Sequence, residues 1–198
     1  LTAPAYTDTG LTNGTTYYYT VTAVNAIGES PASATVSAVP SAVVVPPVTL
    51  SVQYRAGDTN AQDNQFKPHL RITNQGNAPV ALSDLSIRYW YTIDGEQPQT
   101  YNCDWAQLGC SNLQGQLVKM NTAATGADHY LEITFKPSAG NLAPGANTGE
   151  IQSRIHKNNW SNYNETGDYS FDPTKTSFAD WTKVTLYYNG VLVWGVEP

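Results

Sequence analysis

A chain of 198 residues and 21.5 kDa is long enough to bury a core without covalent staples, as one large or two small domains. Its net charge of −6 and pI near 4.8 argue against nucleic acid and anionic membranes, which select basic patches; no apolar run approaches the roughly 20 residues that span a bilayer. Only 13% of residues are charged, and the 13 tyrosines and 5 tryptophans sit among abundant Thr, Ser, Asn and Gly, the composition of exposed, hydrogen-bonding β surface outside the cytosol.

The chain opens at Leu1 without a Met, a charged n-region or an apolar h-region, so any export signal is expected to have been removed or to lie outside this stretch. Tyr17 to Val24 alternates as a strand, Asn25 to Ser30 turns, and Ala34 to Val39 completes a hairpin. Prolines at 40, 46 and 47 then interrupt any ladder, which divides the sequence into residues 1–40, a Pro-rich linker at 41–47 and a larger domain at 48–198. The order Leu11-Thr12-Asn13-Gly14-Thr15-Thr16-Tyr17, with the turn Ala23 to Ser30, resembles the C-terminal half of a fibronectin type III domain, whose leucine and tyrosine build a tyrosine corner. About 40 residues are present where a whole sandwich takes roughly 100, so the half-domain is expected to leave an apolar face and an open edge for another chain or the second domain.

Beyond the linker, strand patterns recur at Leu50–Tyr54, Lys67–Thr73, Leu85–Thr92, Gly115–Met120, Tyr130–Phe135, Glu150–His156, Lys183–Tyr188 and Val191–Trp194, with no convincing helix. Such a series with long connections predicts a two-sheet sandwich of jelly-roll type. Asn189-Gly190 between the last two strands is a type I′ hairpin signal. Cys103 and Cys110, with six residues between them, match neither a CxxC redox motif nor a four-ligand zinc site. A local disulfide in an oxidising compartment is the favoured reading, and two small buried thiols the alternative.

Two aromatic stretches stand out. Cys103-Asp104-Trp105 and Asn158-Asn159-Trp160-Ser161-Asn162-Tyr163 place tryptophans among short polar residues where a chain normally turns, whereas Trp90, Trp181 and Trp194 read as core or half-buried positions. Flat rings on a rigid scaffold suit a sugar surface. Alternation puts Gln152, Arg154 and His156 on one solvent face, where Arg154 is either an ordinary solvated charge or, paired with Asp104, a planar partner for the rings. Catalysis finds little support: His69, His129 and His156 are scattered, and no HExxH or Gly-x-Ser-x-Gly motif occurs. Glycosidase chemistry would need two carboxylates facing each other across a cleft, with Glu132 and Glu150 as candidates.

Leu85-x-x-Arg88-Tyr89-Trp90-Tyr91-Thr92, Lys157-Asn158-Asn159-Trp160-Ser161-Asn162-Tyr163, Gly167-Asp168-Tyr169-Ser170-Phe171 and Asn189-Gly190-x-Leu192-Val193-Trp194-Gly195 occur in the order found in family 3 carbohydrate-binding modules, which residues 48–198 resemble. The resemblance implies an all-β, nine-stranded jelly-roll sandwich that binds crystalline cellulose without catalysis and is attached to a secreted cell-wall-degrading enzyme. It implies a planar strip of Asp104, Trp105, Arg154 and Trp160, with Gln152, Asn64, Asp58 and Thr176 as polar anchors. The loop from Ala106 to Gln114 is shorter than in scaffoldin modules and lacks their next strip tyrosine, which points to the enzyme-borne subtype. Asp94 and Asp168 read locally as turn residues; the resemblance makes them ligands of a structural calcium ion, with Thr92 and the backbone carbonyls of Asn164 and Gly167. The alternatives are a module that supports an adjacent catalytic domain without binding cellulose, a small jelly-roll glycosidase, and a spacer.

Overall fold

The computed structural model describes residues 6–42 and 47–198, so residues 43–46 of the Pro-rich segment and the first five residues lie outside it. The chain separates into two compact units, Leu1–Val44 and Val45–Pro198.

In the first unit β1 (Tyr17–Tyr19) pairs antiparallel with β4 (Val36–Ala38), Tyr17 opposite Ala38, and β2 (Val24–Asn25) pairs with β3 (Gly28–Glu29) around a short turn. The expected strand from Tyr17 to Val24 breaks after Tyr19. There the amides of Val21 and Ala23 donate to the hydroxyls of Ser33 and Ser30, so side chains replace ladder carbonyls. The Tyr17 hydroxyl accepts a hydrogen bond from the Thr12 amide at 2.9 Å. Among the described residues of this unit no side chain is buried, and Tyr18, Val21, Val24, Ile27 and Val36 are exposed.

The second unit is an all-β sandwich. Its strands are β5 (Leu50–Ala56), β6 (Gln65–Phe66), β7 (Pro68–Asn74), β8 (Val80–Ala81), β9 (Leu85–Tyr91), β10 (Gln99–Ala106), β11 (Leu113–Ala124), β12 (Ala127–Phe135), β13 (Asn141–Leu142), β14 (Ile151–Lys157), β15 (Ala179–Asp180), β16 (Val184–Tyr188) and β17 (Val191–Trp194). One sheet runs β10-β14-β7-β5-β15 with β6 added to β14; the other runs β11-β12-β9-β16-β17. Period-2 alternation assigns the faces: Leu70 and Ile72 on β7, Leu131 and Ile133 on β12, and Ile151 and Ile155 on β14 all point inward with no exposed surface. Asn189 and Gly190 have φ of 47° and 79°, the two left-handed residues of the expected type I′ turn between β16 and β17.

Strand β10 is a correction. Cys103-Asp104-Trp105 is not a turn but the end of an eight-residue edge strand paired to β14. The edge position explains why its pattern was hidden: nearly every residue from Gln99 to Trp105 is half-buried or exposed, so no apolar alternation marks it.

Candidate functional site

The register of β10 slips between Cys103 and Trp105: Cys103 faces Ser153, Trp105 faces Gln152, and Asp104 is the extra residue. In a regular strand consecutive side chains point to opposite faces, so Asp104 and Trp105 would diverge. The bulge turns both outward, onto the face that carries Gln152 and Arg154 of β14. Arg154 then grips Asp104 with a two-pronged fork, Nε to Oδ2 and Nη2 to Oδ1 at 2.9 Å each. Hydrogen bonding to Asp104 raises the Arg154 guanidinium above its ordinary value. Beside the bulge, Cys103 is bonded to Cys110.

Three residues past β14 the chain enters the left-handed region at Trp160, φ 57°, and the Trp160 amide donates to the Lys157 carbonyl at 2.9 Å. This turn folds the indole back over β14, parallel to the imidazole of His156, with ring centroids 4.1 Å apart. The outer indole face remains open: Trp160 is 49% exposed and Trp105 47%, unusual for side chains of this size. Lys157, buried beneath, donates to the carbonyls of Asp94 and Asn162 and lies 4.5 Å from the centre of the Tyr163 ring.

The expected anchors take positions around the same sheet. Gln152 sits on its outer face, and Asn64 leads into β6, which pairs with Ile155 and His156. Asp58 follows β5 and pairs with Lys67 at 3.6 Å. Thr176 is exposed, next to Lys175, whose carbonyl accepts from the Ala56 amide. Asn64, Asp58 and Thr176 make no hydrogen bond to Asp104, Trp105, Arg154 or Trp160 among the described residues. The role of His156 under Trp160 was not anticipated; alternation places it on the right face, but the stack depends on the backward turn.

The expected cation ligands are drawn from separated loops. Asp168 accepts from both the amide and the hydroxyl of Thr92, and Asp94 accepts from the Asn164 amide at 2.7 Å. Burial lifts the Asp168 carboxyl to about 7 against the hydrogen bonds from Thr92, with Asp94 and Asp128 adding to the rise. Nearby Glu165 is pushed to about 9 by burial, then by Asp168 and other carboxylates. No three acidic, histidine or cysteine side chains converge on one point among the described residues. A cation here would therefore rest on two carboxylates with hydroxyl and carbonyl oxygens. That all-oxygen set, with Asp168 buried and Asp94 exposed at the surface, fits a hard divalent ion.

Glu132 and Glu150 do not face each other. Glu132 pairs with Arg88 on the five-stranded sheet, and Glu150 lies 2.6 Å from Arg55 and 2.8 Å from His69 on the other.

Residues 51–195 match the family described as "Cellulose binding domain". A protein from the celA 5′ region of Paenibacillus lautus is 52% identical over 147 residues, 74% of this chain and all of that protein. The beta-mannanase/endoglucanase A of Caldicellulosiruptor saccharolyticus is 48% identical over 149 residues, 75% of this chain. The chain spans only 11% of the length of that enzyme, and 16% of an exoglucanase-2 from Thermoclostridium stercorarium. Among solved structures, a CBM3b of the scaffoldin subunit ScaA from Acetivibrio cellulolyticus superposes with a TM-score of 0.72 at 44% identity, covering 75% of this chain and 97% of that one. The matched part is a non-catalytic binding module, and the chain belongs to family 3 of the carbohydrate-binding modules, the cellulose-binding domain family.

Proposed function

We propose that the outer face of the six-stranded sheet binds crystalline cellulose and so carries an attached cell-wall-degrading enzyme to its substrate. The observation that carries this reading is the bulge at Asp104, which joins Asp104 to Arg154 on the outer face and leaves Trp105 exposed beside them, while the exposed indole of Trp160 is laid parallel to His156 of β14. The apolar faces of successive pyranose rings stack on Trp105 and Trp160, while Asp104, Arg154 and Gln152 exchange hydrogen bonds with their hydroxyls. Because the fork of Arg154 and the stack of Trp160 exist before ligand arrives, little ordering cost remains to be met on binding. Asn64, Asp58 and Thr176 serve as polar anchors at the margin.

Calcium is proposed as a structural ion held by Asp94, Asp168, Thr92 and the carbonyls of Asn164 and Gly167, where it would supply positive charge beside the buried Asp168 carboxylate. The protein is proposed to be secreted, in keeping with the disulfide. Residues 1–40 are proposed as the C-terminal half of a fibronectin type III domain, for which the Tyr17 to Thr12 hydrogen bond is the support, with the linker at 41–47 joining them to the module at 48–198. Their exposed apolar side chains are proposed to mediate association, so sedimentation should find self-association that Ile27→Lys reduces; a strict monomer at all concentrations rejects it.

Depletion of the protein from solution by microcrystalline cellulose tests the main reading. Wild type should be retained, and Trp160→Ala and Trp105→Ala should each weaken retention by about tenfold or more, the scale of a buried aromatic anchor. No retention of wild type rejects it.

A further inference from the structure

We infer that the module carries a sugar site separate from the sheet face, a cavity at the end of the sandwich where β5 begins and β7 ends, which takes one neutral pyranose unit. The cavity holds about 390 Å³, inside the roughly 300–1,000 Å³ typical of small-ligand sites. Its polar lining comes from Thr49 ahead of β5, Asn77 in the loop between β7 and β8, Asp84 just before β9, and Asn141 of β13; Pro79 and Tyr188, the last residue of β16, add apolar surface. Asp104, Trp105, Arg154 and Trp160 take no part in it, so the cavity does not depend on the strip.

Its walls are set before any ligand arrives. Asn74, only 1% exposed, donates through its side-chain amide to the carbonyls of Ala78 at 2.9 Å and Leu142 at 3.0 Å, and its side-chain oxygen accepts from the Gly76 amide at 3.0 Å. One buried side chain thus ties the loop that carries Asn77 and Pro79 to the strand that carries Asn141. The Tyr188 hydroxyl donates to Asp84 Oδ2 at 3.1 Å, and the Asn189 amide donates to the Asp84 carbonyl at 2.7 Å, which fixes ring and carboxylate together. Pairing of Asn141 with Ala81 closes the ladder between β13 and β8. A cavity held in this way loses little freedom on binding.

The groups left over define the ligand. Asp84 Oδ1, the Thr49 hydroxyl and the side-chain amides of Asn77 and Asn141 have no hydrogen-bond partner among the described residues. A carboxylate that only accepts, beside amides that donate and accept, suits the neighbouring hydroxyls of a sugar, while a tyrosine ring suits the C–H face of a pyranose. Asp84 is the single charged residue of the lining, so the site opposes an anionic sugar.

Backbone amide NMR shifts followed during titration with glucose, cellohexaose and glucuronic acid test this in wild type, Asn141→Ala, Asp84→Asn and Trp160→Ala, with melting temperatures recorded. Glucose should move the amides of Gly76, Asn77, Asp84 and Asn141 saturably in the millimolar range. Asn141→Ala, whose side chain bonds nothing else described, should weaken this about tenfold at an unchanged melting temperature, and Asp84→Asn should weaken it at least as much. Trp160→Ala should bind glucose like wild type, whatever becomes of its retention on cellulose. Glucuronic acid, which differs from glucose by a carboxylate, should leave these amides unmoved. A free sugar and the end unit of a chain offer the same chemistry: cellohexaose binding as tightly as glucose or tighter identifies a chain end as the occupant, and weaker binding a free sugar. Absence of saturable shifts with glucose, wild-type affinity in both cavity variants, loss of the shifts in Trp160→Ala, or equal binding of glucuronic acid overturns the site.

Discussion

The indole of Trp160 and the imidazole of His156 lie in parallel planes, 4.1 Å between centroids, so that one aromatic ring forms the floor on which the other is laid. The left-handed backbone at Trp160 costs on the order of 1 kcal/mol, and the stack offsets part of it. His156 is a positioning residue. His156→Ala should weaken retention on microcrystalline cellulose roughly two- to tenfold, the value of an aromatic pair, while His156→Phe restores it. Equal retention by wild type and His156→Ala removes the floor from the account.

Chelation should lower the melting temperature, because an ion that binds only the native state stabilises it by mass action. The Asp168→Asn variant, which loses a carboxylate paired with Thr92, should melt at one temperature with or without chelator. A wild-type melt indifferent to chelator sinks the calcium proposal.

Acid should destabilise the module through a pair on the outer face of the six-stranded sheet. Burial, chiefly, holds His69 below its ordinary 6.5, against the pull of Glu150. Burial opposes ionisation of Glu150 too, but hydrogen bonds from Arg55, His69 and Gln152 outweigh it and keep that carboxyl below 4.5. Both folded-state values are depressed, so the stability they contribute is complete above pH 6.5 and is lost as pH falls, first through His69 and then through Glu150. Melting temperature against pH should show a smaller acid drop in His69→Gln than in wild type, since that change removes one depressed group and relaxes the other, and parallel curves would contradict this.

The Cys103–Cys110 bond closes a loop with a sequence separation of 7, for which chain entropy predicts about 2.5 kcal/mol of stabilisation. Urea unfolding of Cys103→Ser/Cys110→Ser should show a loss of that order with an unchanged m-value. Retention on cellulose should fall less than in Trp105→Ala, since the indole remains. A double variant as stable as wild type would contradict this contribution of the bond.

How far the sequence reveals this arrangement depends on the strand. Where one face is core, as in Ile151 to Lys157, period-2 patterning located the strand to within a residue, and Asn189-Gly190 specified the turn between the last two strands. Strand β10 escaped because an edge strand with a bulge has no buried face of regular period. The aromatic content of the site was legible, the placement of its rings was not: that comes from one slipped residue at Asp104 and one left-handed residue at Trp160. The meeting of Thr92 with Asp168 crosses 76 positions of sequence, and only tertiary packing brings them together.

Lys157 gives the proposed binding face an asymmetry. Its ammonium fastens the turn at Asp94 to the loop that presents Trp160, whereas the strand end presenting Trp105 is fastened by a sulfur–sulfur bond. The two indoles thus answer to different surroundings, one to the thiol chemistry of the medium and the other to whatever settles the charge around Asp94. A module of this build would loosen its grip on a flat substrate from one end at a time.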